Sequence, residues 1–518
     1  MNEAVITPAG TSRAYERRWW TLAALSASLI VVGLDNMVLN VALPTIQSEL
    51  GASASQLIWM VDAYIVVFAS SLLVMGYLGD RFGRALAMRA GLVLFGGASL
   101  AAAYASSPAQ LISWRAVMGA GSALIATASL SIVTNVFPQA ERGKAIGVWA
   151  GVNALGIGAG PVVGGAMLEH FWWGSVFLLN VPVVLITLTV GAVLLPESRD
   201  PQRRPLDVPG FLLSTGAIAT LVYALIEAPD RGWGDARVLA SFPAAAVLGS
   251  AFVWWELRAA HPLVDFGFFR RRRFAAGVAA VSITSFALFG TLFSITLFLQ
   301  FVQGYSPLQA GVRLIPLSLG VMFGAGGADR LAKRFGTNRV VATALGLLAV
   351  LLTSYLLWDA DVTYWLVGPT LFVLAYALGS VMAPATDAVM GAVPQARAGL
   401  ATAMNMVSRM VAGALGAAVT GSTLFTIYGS RMSAAVGGLP PDAAAAARNS
   451  VGAAAQIAAS LPPAQGRELM AAAGSAFIEA IGRASLIGCA IALAGSILIL
   501  RFMPPQHLPA TETEEGER

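Results

Sequence analysis

The chain has 518 residues, of which 57% are hydrophobic and only 11% are charged, and its mean hydropathy is +0.73. Soluble domains carry about 25% charged residues, so a single water-exposed globular core is excluded and a polytopic membrane protein is predicted. The net charge of +5 comes from basic residues in short loops between apolar runs, which argues against a nucleic-acid-binding protein.

Residue types used in catalysis and metal binding are too few and too scattered to form a site. Cys489 is the single cysteine, which excludes a disulfide framework and a thiolate metal site. The three histidines lie in loops or in the tail without the spacing of metal ligands, and no nucleophile–base set can be assembled. We therefore expect a protein that is not an enzyme and that uses no cofactor.

Apolar runs follow one another along the chain from residue 20 to residue 501. A helix needs about 20 apolar residues to cross a bilayer, and fourteen runs satisfy this criterion. They predict an all-α membrane protein with fourteen transmembrane helices, and the even number places both termini on one side. The predicted spans are 20–43, 56–77, 86–105, 110–134, 144–168, 174–195, 209–227, 238–257, 275–301, 308–328, 338–358, 363–390, 398–425 and 478–501.

Positive charge is concentrated in one alternate set of the connecting loops. The opposite short loops carry almost no basic residue besides Arg231 and Arg237. Because basic loops remain in the cytoplasm, both termini are predicted to be cytoplasmic, in a bacterial inner membrane. The basic residues of this set are Arg81, Arg84, Arg89, Arg142, Lys144, Arg199, Arg203, Arg204, Arg258, Arg270, Arg271, Arg272, Arg273, Arg330, Lys333, Arg334, Arg339 and Arg397.

Two basic connections, 196–208 and 258–273, divide the chain into three predicted domains. These are a six-helix bundle at 1–195, a linker with a two-helix insert at 196–273, and a second six-helix bundle at 274–518. A weak repeat supports two related bundles, because GYLGDRFGR at 76–84 corresponds to GGADRLAKRFG at 326–336. Transporters built from such repeats bind their substrate near the middle of the membrane.

The second bundle contains one long external loop, 426–477, followed at the end of the chain by a cytoplasmic tail. The loop is rich in alanine and carries LPP at 439–441 and again at 461–463. Because proline is favoured in the first turn of a helix, each LPP is predicted to start a short helix. Such a hairpin could cover the external mouth as a lid; the alternative is a flexible loop.

A carboxylate interrupts the first apolar run, within VVGLDNMVLNVALP at 31–44. An acid in mid-membrane costs roughly 2.5–3.5 kcal/mol on insertion scales, so such residues usually face a cavity and serve a function. A desolvated carboxyl there is able to take up and release a proton near neutral pH. We interpret Asp35 as a proton or cation site; the alternative is an acid neutralised by a partner as part of the packing.

Three further ionisable residues lie in predicted spans. Asp62, in WMVDAYIV at 59–66, places a second carboxylate in the second span. Arg115 lies inside the fourth span, where an unpaired cation is too costly, so its predicted partner is a carboxylate of a neighbouring helix or a backbone carbonyl. Asp387, in the twelfth span, is the carboxylate that remains in the second half of the chain. It is interpreted as a proton site; the alternative is a helix-end residue or a member of a buried ion pair.

The stretch GYLGDRFGR combines small residues with charges at the end of the second span. Its glycines permit close helix approach and a sharp turn, and its acid can pair with a neighbouring arginine or cap a helix end, which would lock one conformation. This stretch resembles the signature loop between helices two and three of the major facilitator superfamily; the alternative is a merely charged turn. The motif residues are Gly76, Asp80, Arg81, Gly83 and Arg84.

Glycines recur every four residues in the fifth span, at Gly156, Gly160 and Gly164, with Pro161 beside them. This spacing places the glycines on one helix face and permits tight packing and a kink that could pivot during transport. The pattern resembles the fifth-helix motif of exporters in the same superfamily, and the resemblance implies the direction of transport.

The resemblance extends over about residues 20–425, to the fourteen-helix drug:proton antiporter branch of the major facilitator superfamily. It is carried by LDNMVLNVALP, WMVDAYIV, SPLQAGVRLIPLSLG at 306–320 and SRMVAGALGAAV at 408–419. It implies two six-helix bundles with a two-helix insert, alternating access, and the proton gradient as energy source. In that branch the fourth-helix arginine is tied to proton transfer, and an acid in the second helix is typical of proteins that resemble quaternary-ammonium exporters. The implied coupling and substrate residues are Asp35, Asp62, Arg115 and Asp387.

One stretch departs from the branch. Many of its members carry acids in the thirteenth helix in a pattern like NDTTRE, where this chain has NMVSRM at 405–410. Methionines form an adaptable apolar wall, so a specificity for dications is not expected. Arg313 and Arg409 are interpreted first as ion-pair residues and second as contacts for an anionic group. The candidate pocket residues are Trp59, Tyr64, Phe289, Phe293, Met406, Arg409 and Met410, although an aromatic stripe such as that of the ninth helix is more often lipid-facing or core.

These patterns predict a proton-coupled antiporter that exports small amphiphilic compounds, in the first place lipophilic cationic drugs. The alternative is a dedicated exporter of one endogenous metabolite, antibiotic or lipid, and a receptor that binds without transport ranks below both. The expected partners are the substrate, protons and the lipid bilayer, without nucleic acid, and the expected state is a monomer.

Overall fold

The computed structural model describes residues 16–195, 197–198, 207–260, 262, 264, 266–359, 362–393 and 398–503. Some side chains inside these ranges, among them those of Asp80, Arg142 and Lys144, lie outside the described set, as do Arg199, Arg203, Arg204 and Arg397. The described backbone contains helices and no strand, which confirms the all-α class. The helices are α1 (Arg18–Leu50), α2 (Ala54–Phe82), α3 (Arg84–Ala103), α4 (Pro108–Val136), α5 (Gln139–His170), α6 (Ser175–Leu178), α7 (Asn180–Leu194), α8 (Val208–Arg231), α9 (Ala236–Glu256), α10 (Arg272–Leu297), α11 (Pro307–Arg313), α12 (Ile315–Phe335), α13 (Thr337–Thr353), α14 (Tyr364–Gly391), α15 (Ala398–Met432), α16 (Pro441–Asn449), α17 (Val451–Ser460) and α18 (Pro463–Phe502).

Thirteen helical segments of the described chain are long and apolar enough to cross a membrane. Together with α5, which has 32 residues and contains the predicted span 144–168, they follow the order of the fourteen predicted spans. Two spans differ in detail, because 174–195 is divided into α6 and α7 and 308–328 into α11 and α12. A proline lies near the start of the second helix in each case, at 182 and 316, and its missing N–H leaves a carbonyl outside the helical ladder.

The long connection 426–477 contains helices, but only one of its two proline motifs starts a short helix. The first LPP begins α16 at Pro441, as predicted. The second LPP also starts a helix, as predicted, but the expected short length is wrong, because Pro463 begins α18, which has 40 residues and contains the last span. No proline interrupts the chain between Pro463 and residue 502, so the helix starts at 463 rather than 478. That this segment acts as a lid stays a prediction.

The chain divides into two compact units. Unit 1 comprises Met1–Ala224, Ala236–Leu263 and Gly304–Val312, and unit 2 comprises Leu225–Asp235, Val264–Gln303 and Arg313–Arg518. The domain boundaries predicted at 195/196 and 273/274 stay predictions.

Each unit uses the same pairing of helices. In unit 1, α1 packs on α5, α2 on α4, and α3 on α4 and α7. In unit 2, α10 packs on α15, α12 on α14, and α13 on α14 and α18. The corresponding helices therefore occupy the same places in the two units, as the weak sequence repeat indicates.

The repeat is also seen in the backbone at the end of α2 and of α12. Gly83 has φ +125° and Gly336 has φ +88°. Positive φ values in this range favour glycine, because glycine has no side chain. The N–H of each donates to the carbonyl four residues earlier, Gly79 or Ala332, and the next helix begins at the following residue. The sharp turn predicted at Gly83 is confirmed, and the same turn recurs in unit 2.

The glycine motif of α5 lies against α1, which confirms the predicted close packing. A Cβ at Gly156 would lie 3.0 Å from Ile30 Cα, one at Gly160 would lie 2.6 Å from Met37 Cβ, and one at Gly164 would lie 3.0 Å from Val38 Cγ1. Each of these distances is shorter than an ordinary carbon–carbon contact, so the two helices approach as closely as they do only because these positions lack side chains.

Gly160→Ala is therefore expected to destabilise the protein, by about 1–3 kcal/mol as for other overpacked positions, despite the better helix propensity of alanine. Gly151→Ala is the matched control, because it makes the same change in the same helix where no atom lies within 4 Å of the added methyl. Thermal unfolding of the purified protein by intrinsic fluorescence measures the difference. Equal melting temperatures for the two variants would show that the contact with α1 is not tight.

Candidate functional site

The fourth helix of unit 1, α4, packs closely against two neighbouring helices, because glycines lie at the contacts. A Cβ at Gly121 would lie 2.8 Å from the backbone nitrogen of Phe95 in α3. At Gly119 a Cβ would collide with the carbonyl of Tyr64 in α2. Since the α4 backbone is this close to α2 and α3, the side chain of Arg115, one turn earlier, is directed into the interior of the unit, where it is 1% exposed.

Arg115 forms an ion pair with Asp35, the acid of the first helix. Nη1 of Arg115 lies 2.5 Å from Oδ2 of Asp35, and its Nε donates to the carbonyl of Met60 at 3.1 Å. The partners predicted for this arginine, a carboxylate and a backbone carbonyl, are thus both present. Asp35 is 4% exposed and does not face open space, so in this structure it is an acid neutralised by a partner, as the alternative interpretation has it.

Two residues that the sequence analysis did not single out complete this network. Nδ2 of Asn180, at the start of α7, donates to Oδ1 of Asp35 at 3.1 Å and lies 2.9 Å from Oγ of Ser99 in α3. Ser99 in turn donates to the carbonyl of Phe177 at 2.8 Å. The only sequence signal for Asn180 is an amide in an apolar run, and serine is too common in membrane helices to be a signal.

Tyr64, a predicted pocket residue, already contacts a cation of the protein itself. The guanidinium carbon of Arg115 lies 4.4 Å from the centre of its ring, a distance suited to a cation–π interaction. The ring stacks on Phe68 at 6.1 Å, and Nδ2 of Asn36 lies 3.4 Å from its hydroxyl. Trp59, the other predicted aromatic residue of α2, is half-buried.

Asp62 is the second acid of unit 1, and its surroundings differ from those of Asp35. It is 0% exposed, and neither of its carboxylate oxygens has a hydrogen-bond partner in the described part of the chain. A buried carboxylate without a partner is strongly unfavourable, whereas the neutral acid is far less so. In this conformation the chemistry of the site therefore favours a carboxyl that holds a proton.

The signature stretch at 76–84 is stabilised from the end of α7. Oε1 of Glu197 accepts from the N–H of Ala85 at 3.3 Å, and the carbonyl of Ser198 accepts from the N–H of Arg84 at 3.0 Å. Gly83 leaves room for this carboxylate, because a Cβ there would collide with it. Glu197 thus caps the start of α3, a role that the sequence analysis did not assign.

The other residues of this motif are only partly described. The side chain of Asp80 lies outside the described residues, so its predicted pairing is untested. Arg81 is exposed, and its Nη1 donates to the hydroxyl of Tyr77 at 2.6 Å. A Cβ added at Gly76 would lie 3.7 Å from Cγ2 of Thr127 in α4, which is an ordinary van der Waals contact.

In unit 2 the predicted residues fall into different environments. Phe293 is buried and packs edge-to-face on Phe425, with ring centres 6.1 Å apart, so it is a core residue here. Phe289 is partly exposed and lies over Gly413 of α15, where a Cβ would be 2.9 Å from its ring. Asp387 is exposed in the last turns of α14, which ends at Gly391 and so fits the helix-end interpretation.

Arg409 and its neighbours lie on α15. Met406, Arg409 and Met410 are half-buried, and Nε of Arg409 has no hydrogen-bond partner among the described residues. The first interpretation of Arg409, as an ion-pair residue, therefore finds no partner in this part of the chain. Arg313 differs, because its guanidinium lies 5.3 Å from the ring centre of Tyr364.

No group of three or more metal-ligating side chains is found within the ranges that the structure describes. Of the ionisable residues predicted as sites in unit 1, Asp35 and Arg115 form a compensated pair, and Asp62 is an acid without a hydrogen-bond partner among the described residues. Asp35 lies on α1 and Asp62 on α2, and both helices pack against α4, the helix of Arg115.

Known proteins similar to this chain are membrane transporters. A sequence model described as Major Facilitator Superfamily matches residues 25–417. Multidrug efflux pump LfrA of Mycolicibacterium smegmatis is 34% identical over 490 residues, covering 94% of this chain and 97% of that protein. The Tetracenomycin C resistance and export protein of Streptomyces glaucescens is 33% identical over 504 residues, covering 95% and 93%.

A solved structure shares the fold. It is the bacterial homologue of the human lysosomal transporter Spinster in an inward-facing, unoccupied conformation, with a TM-score of 0.65 and 17% identity over 93% of this chain and 98% of the other. Helix order, the repeated pairing within each unit and the sequence match agree with one another. The chain belongs to the Major Facilitator Superfamily.

Proposed function

We propose that the protein is a proton-coupled antiporter that exports small amphiphilic compounds, among them lipophilic cationic drugs, from the cytoplasm. The proposal is supported by relatives named for multidrug efflux and for antibiotic resistance and export, which cover nearly the whole chain. The energy source is the proton gradient, and no cofactor takes part.

The observation that carries the proton coupling is the environment of Asp62. A carboxyl that is fully buried without a partner holds its proton, but the same group becomes an anion once water or a cation reaches it. Alternating access supplies this change of environment. Ionised Asp62 would accept the substrate from the cytoplasm, and a proton arriving from outside would neutralise the carboxylate and release the substrate.

The ion pair of Asp35 and Arg115 has a role in this mechanism that is secondary to that of Asp62. As long as Arg115 donates to it, the charge of Asp35 is compensated and the carboxylate is not available to a cationic substrate. A conformational change that separates the two would make both charges available. We assign proton transfer first to Asp62 and treat Asp35 as a carboxylate that Arg115 controls.

The proposed setting is the inner membrane of a bacterium, with the protein as a monomer and both termini in the cytoplasm. The basic residues of alternate loops support this orientation. A fluorescent protein fused to the C-terminus, which fluoresces only when it folds in the cytoplasm, tests the orientation. A dark fusion would reverse it, and the mass of the purified protein in solution tests the monomer.

The transport proposal is tested with purified protein in liposomes that have an acidic interior. Tetraphenylphosphonium is a suitable probe, because its charge is permanent and it cannot accumulate as a weak base. We expect its uptake into the liposomes, accompanied by a rise of the internal pH that an entrapped pH-sensitive dye reports. Both signals should disappear when an ionophore collapses the pH gradient and in liposomes without protein.

Uptake of the cation without a change of internal pH would show a facilitator rather than an antiporter. A second candidate function, a dedicated exporter of one compound, is favoured by the methionines at 406 and 410, where the branch carries acids. Competition separates the two functions, because several unrelated cationic dyes should displace tetraphenylphosphonium from a multidrug exporter. Failure of all of them would favour the dedicated exporter.

A further inference from the structure

Unit 2 contains a cation inside a membrane-spanning helix for which the described chain supplies no partner. Arg409 lies in the first third of α15, and its Nε is buried without a hydrogen bond in the described part of the chain. Arg115 of unit 1 shows how the same residue type is otherwise compensated, by a carboxylate and a carbonyl. Since buried polar groups are nearly always hydrogen-bonded, the unpartnered Nε makes Arg409 a candidate for contact with a ligand.

A second unpartnered group lies one turn away on the same helix. Asn405 is 7% exposed, and its Oδ1 has no hydrogen-bond partner in the described part of the chain. Residues four apart lie on one helix face, so Asn405 and Arg409 are neighbours. They nevertheless do not bond to one another, and both remain available to a third group.

The surroundings of this pair are apolar and partly open. Met406 and Met410 flank Arg409 and are half-buried. Gly413, one turn beyond Arg409, has no side chain, and the ring of Phe289 lies over it. On α15, the two methionines near Arg409 in the sequence and the aromatic ring over the glycine one turn further on offer apolar surface to a flat body that carries one polar group.

We propose that Arg409 forms a subsite for an anionic oxygen of an amphiphilic ligand, such as a carboxylate or phenolate on an aromatic body, while Oδ1 of Asn405 beside it is free to accept from a donor group that such a ligand carries. A guanidinium presents a planar fork of donors that matches a carboxylate, and its positive charge repels a ligand that is only cationic. This inference rests on the proposed export of amphiphiles. It extends the substrate class to zwitterions and acids, which the acids of unit 1 alone would disfavour.

The test compares two dyes that differ only in this group. Rhodamine B carries a xanthylium cation and a free carboxylate, and its ethyl ester keeps the cation but lacks the anion. Binding to the full-length protein is measured by fluorescence polarisation in nanodiscs of phosphatidylcholine, without a pH gradient. A failure of proton coupling therefore leaves this measurement unaffected.

Arg409→Gln is expected to weaken binding of the acid about tenfold or more, because a charge-assisted hydrogen bond is lost, and to leave the ester unchanged or slightly tighter. Arg409→Lys, which keeps the charge but not the fork, should lie between wild type and Arg409→Gln. Arg431→Gln is the matched control: it removes one cation from the same helix, where Arg431 pairs with Glu479 at the surface, and should change neither affinity.

Three results would overturn the subsite. Unchanged binding of the acid by Arg409→Gln would show that the guanidinium does not contact the anion. Equal loss of the acid and the ester would assign Arg409 a structural role. Displacement of the acid by added phosphatidylglycerol in the wild type, with no such effect in Arg409→Gln, would assign the site to an anionic lipid headgroup.

Discussion

Asp62→Asn is expected to abolish pH-gradient-driven uptake of tetraphenylphosphonium and to leave the protein as stable as the wild type. The amide has the shape of the acid but exchanges no proton near neutral pH, so transport loses its coupling to the gradient. Stability is retained because neither oxygen of Asp62 has a hydrogen bond to lose in the described chain. The combination of lost coupling and retained melting temperature distinguishes a proton site from a packing residue.

Equilibrium binding provides the second readout for this variant. In the wild type, protons and the cation compete for one carboxyl, so binding of tetraphenylphosphonium should weaken as the pH falls. In Asp62→Asn binding should be independent of pH and as weak as that of the wild type at low pH. Asp442→Asn, the same change at an exposed residue in the first turn of α16, is the control and should behave as the wild type. Persistent pH-driven uptake by Asp62→Asn would move the proton site elsewhere, first to Asp35.

Removal of either charge of the Asp35–Arg115 pair is expected to destabilise unit 1 strongly, whereas removal of both is expected to recover much of the loss. Each single variant, Asp35→Asn or Arg115→Gln, leaves one buried charge uncompensated, which costs about 3–5 kcal/mol. In the double variant no charge remains, and Asn180 still donates to the oxygen of the amide at position 35. The recovery appears as a coupling energy in a double-mutant cycle of melting temperatures.

An ion pair of the same unit serves as the control cycle. Arg18 and Glu141 lie 2.8 Å apart but are partly exposed, with side-chain exposures of 16% and 33%. Their coupling should be at most about 1 kcal/mol, as for other surface pairs. Additive losses in the Asp35–Arg115 cycle would show that these two charges do not stabilise one another. Export by the double variant should stay absent even where its fold is recovered, because the controlled carboxylate is gone.

Much of the architecture could be predicted from the sequence because its signals are local. A membrane-spanning helix must be apolar over its own length, so the runs predict the helices without knowledge of their neighbours. Glycines four residues apart on α5 predict a close helix contact, and the structure supplies the contacted helix, α1. Hydropathy located the last span but not the start of α18. A helix that begins before its apolar span shows no change of hydropathy at its own first residue.

The sequence by itself thus determined the number and order of the spans and the distribution of basic residues among the loops. It also determined the close-packing motifs and the presence of ionisable groups within the spans. Only the tertiary structure decided which of those groups are compensated. Asp35 and Asp62 look alike in sequence, but Arg115, 80 residues from the first, reaches only Asp35, because glycines on α4 set its distance from the neighbouring helices. The absence of described partners for Asp62 and Arg409, and the roles of Asn180 and Glu197, likewise depend on distances between helices. Hydropathy is a local property, because each spanning helix must be apolar over its own length. The compensation of a charge instead depends on atoms that are distant in the chain.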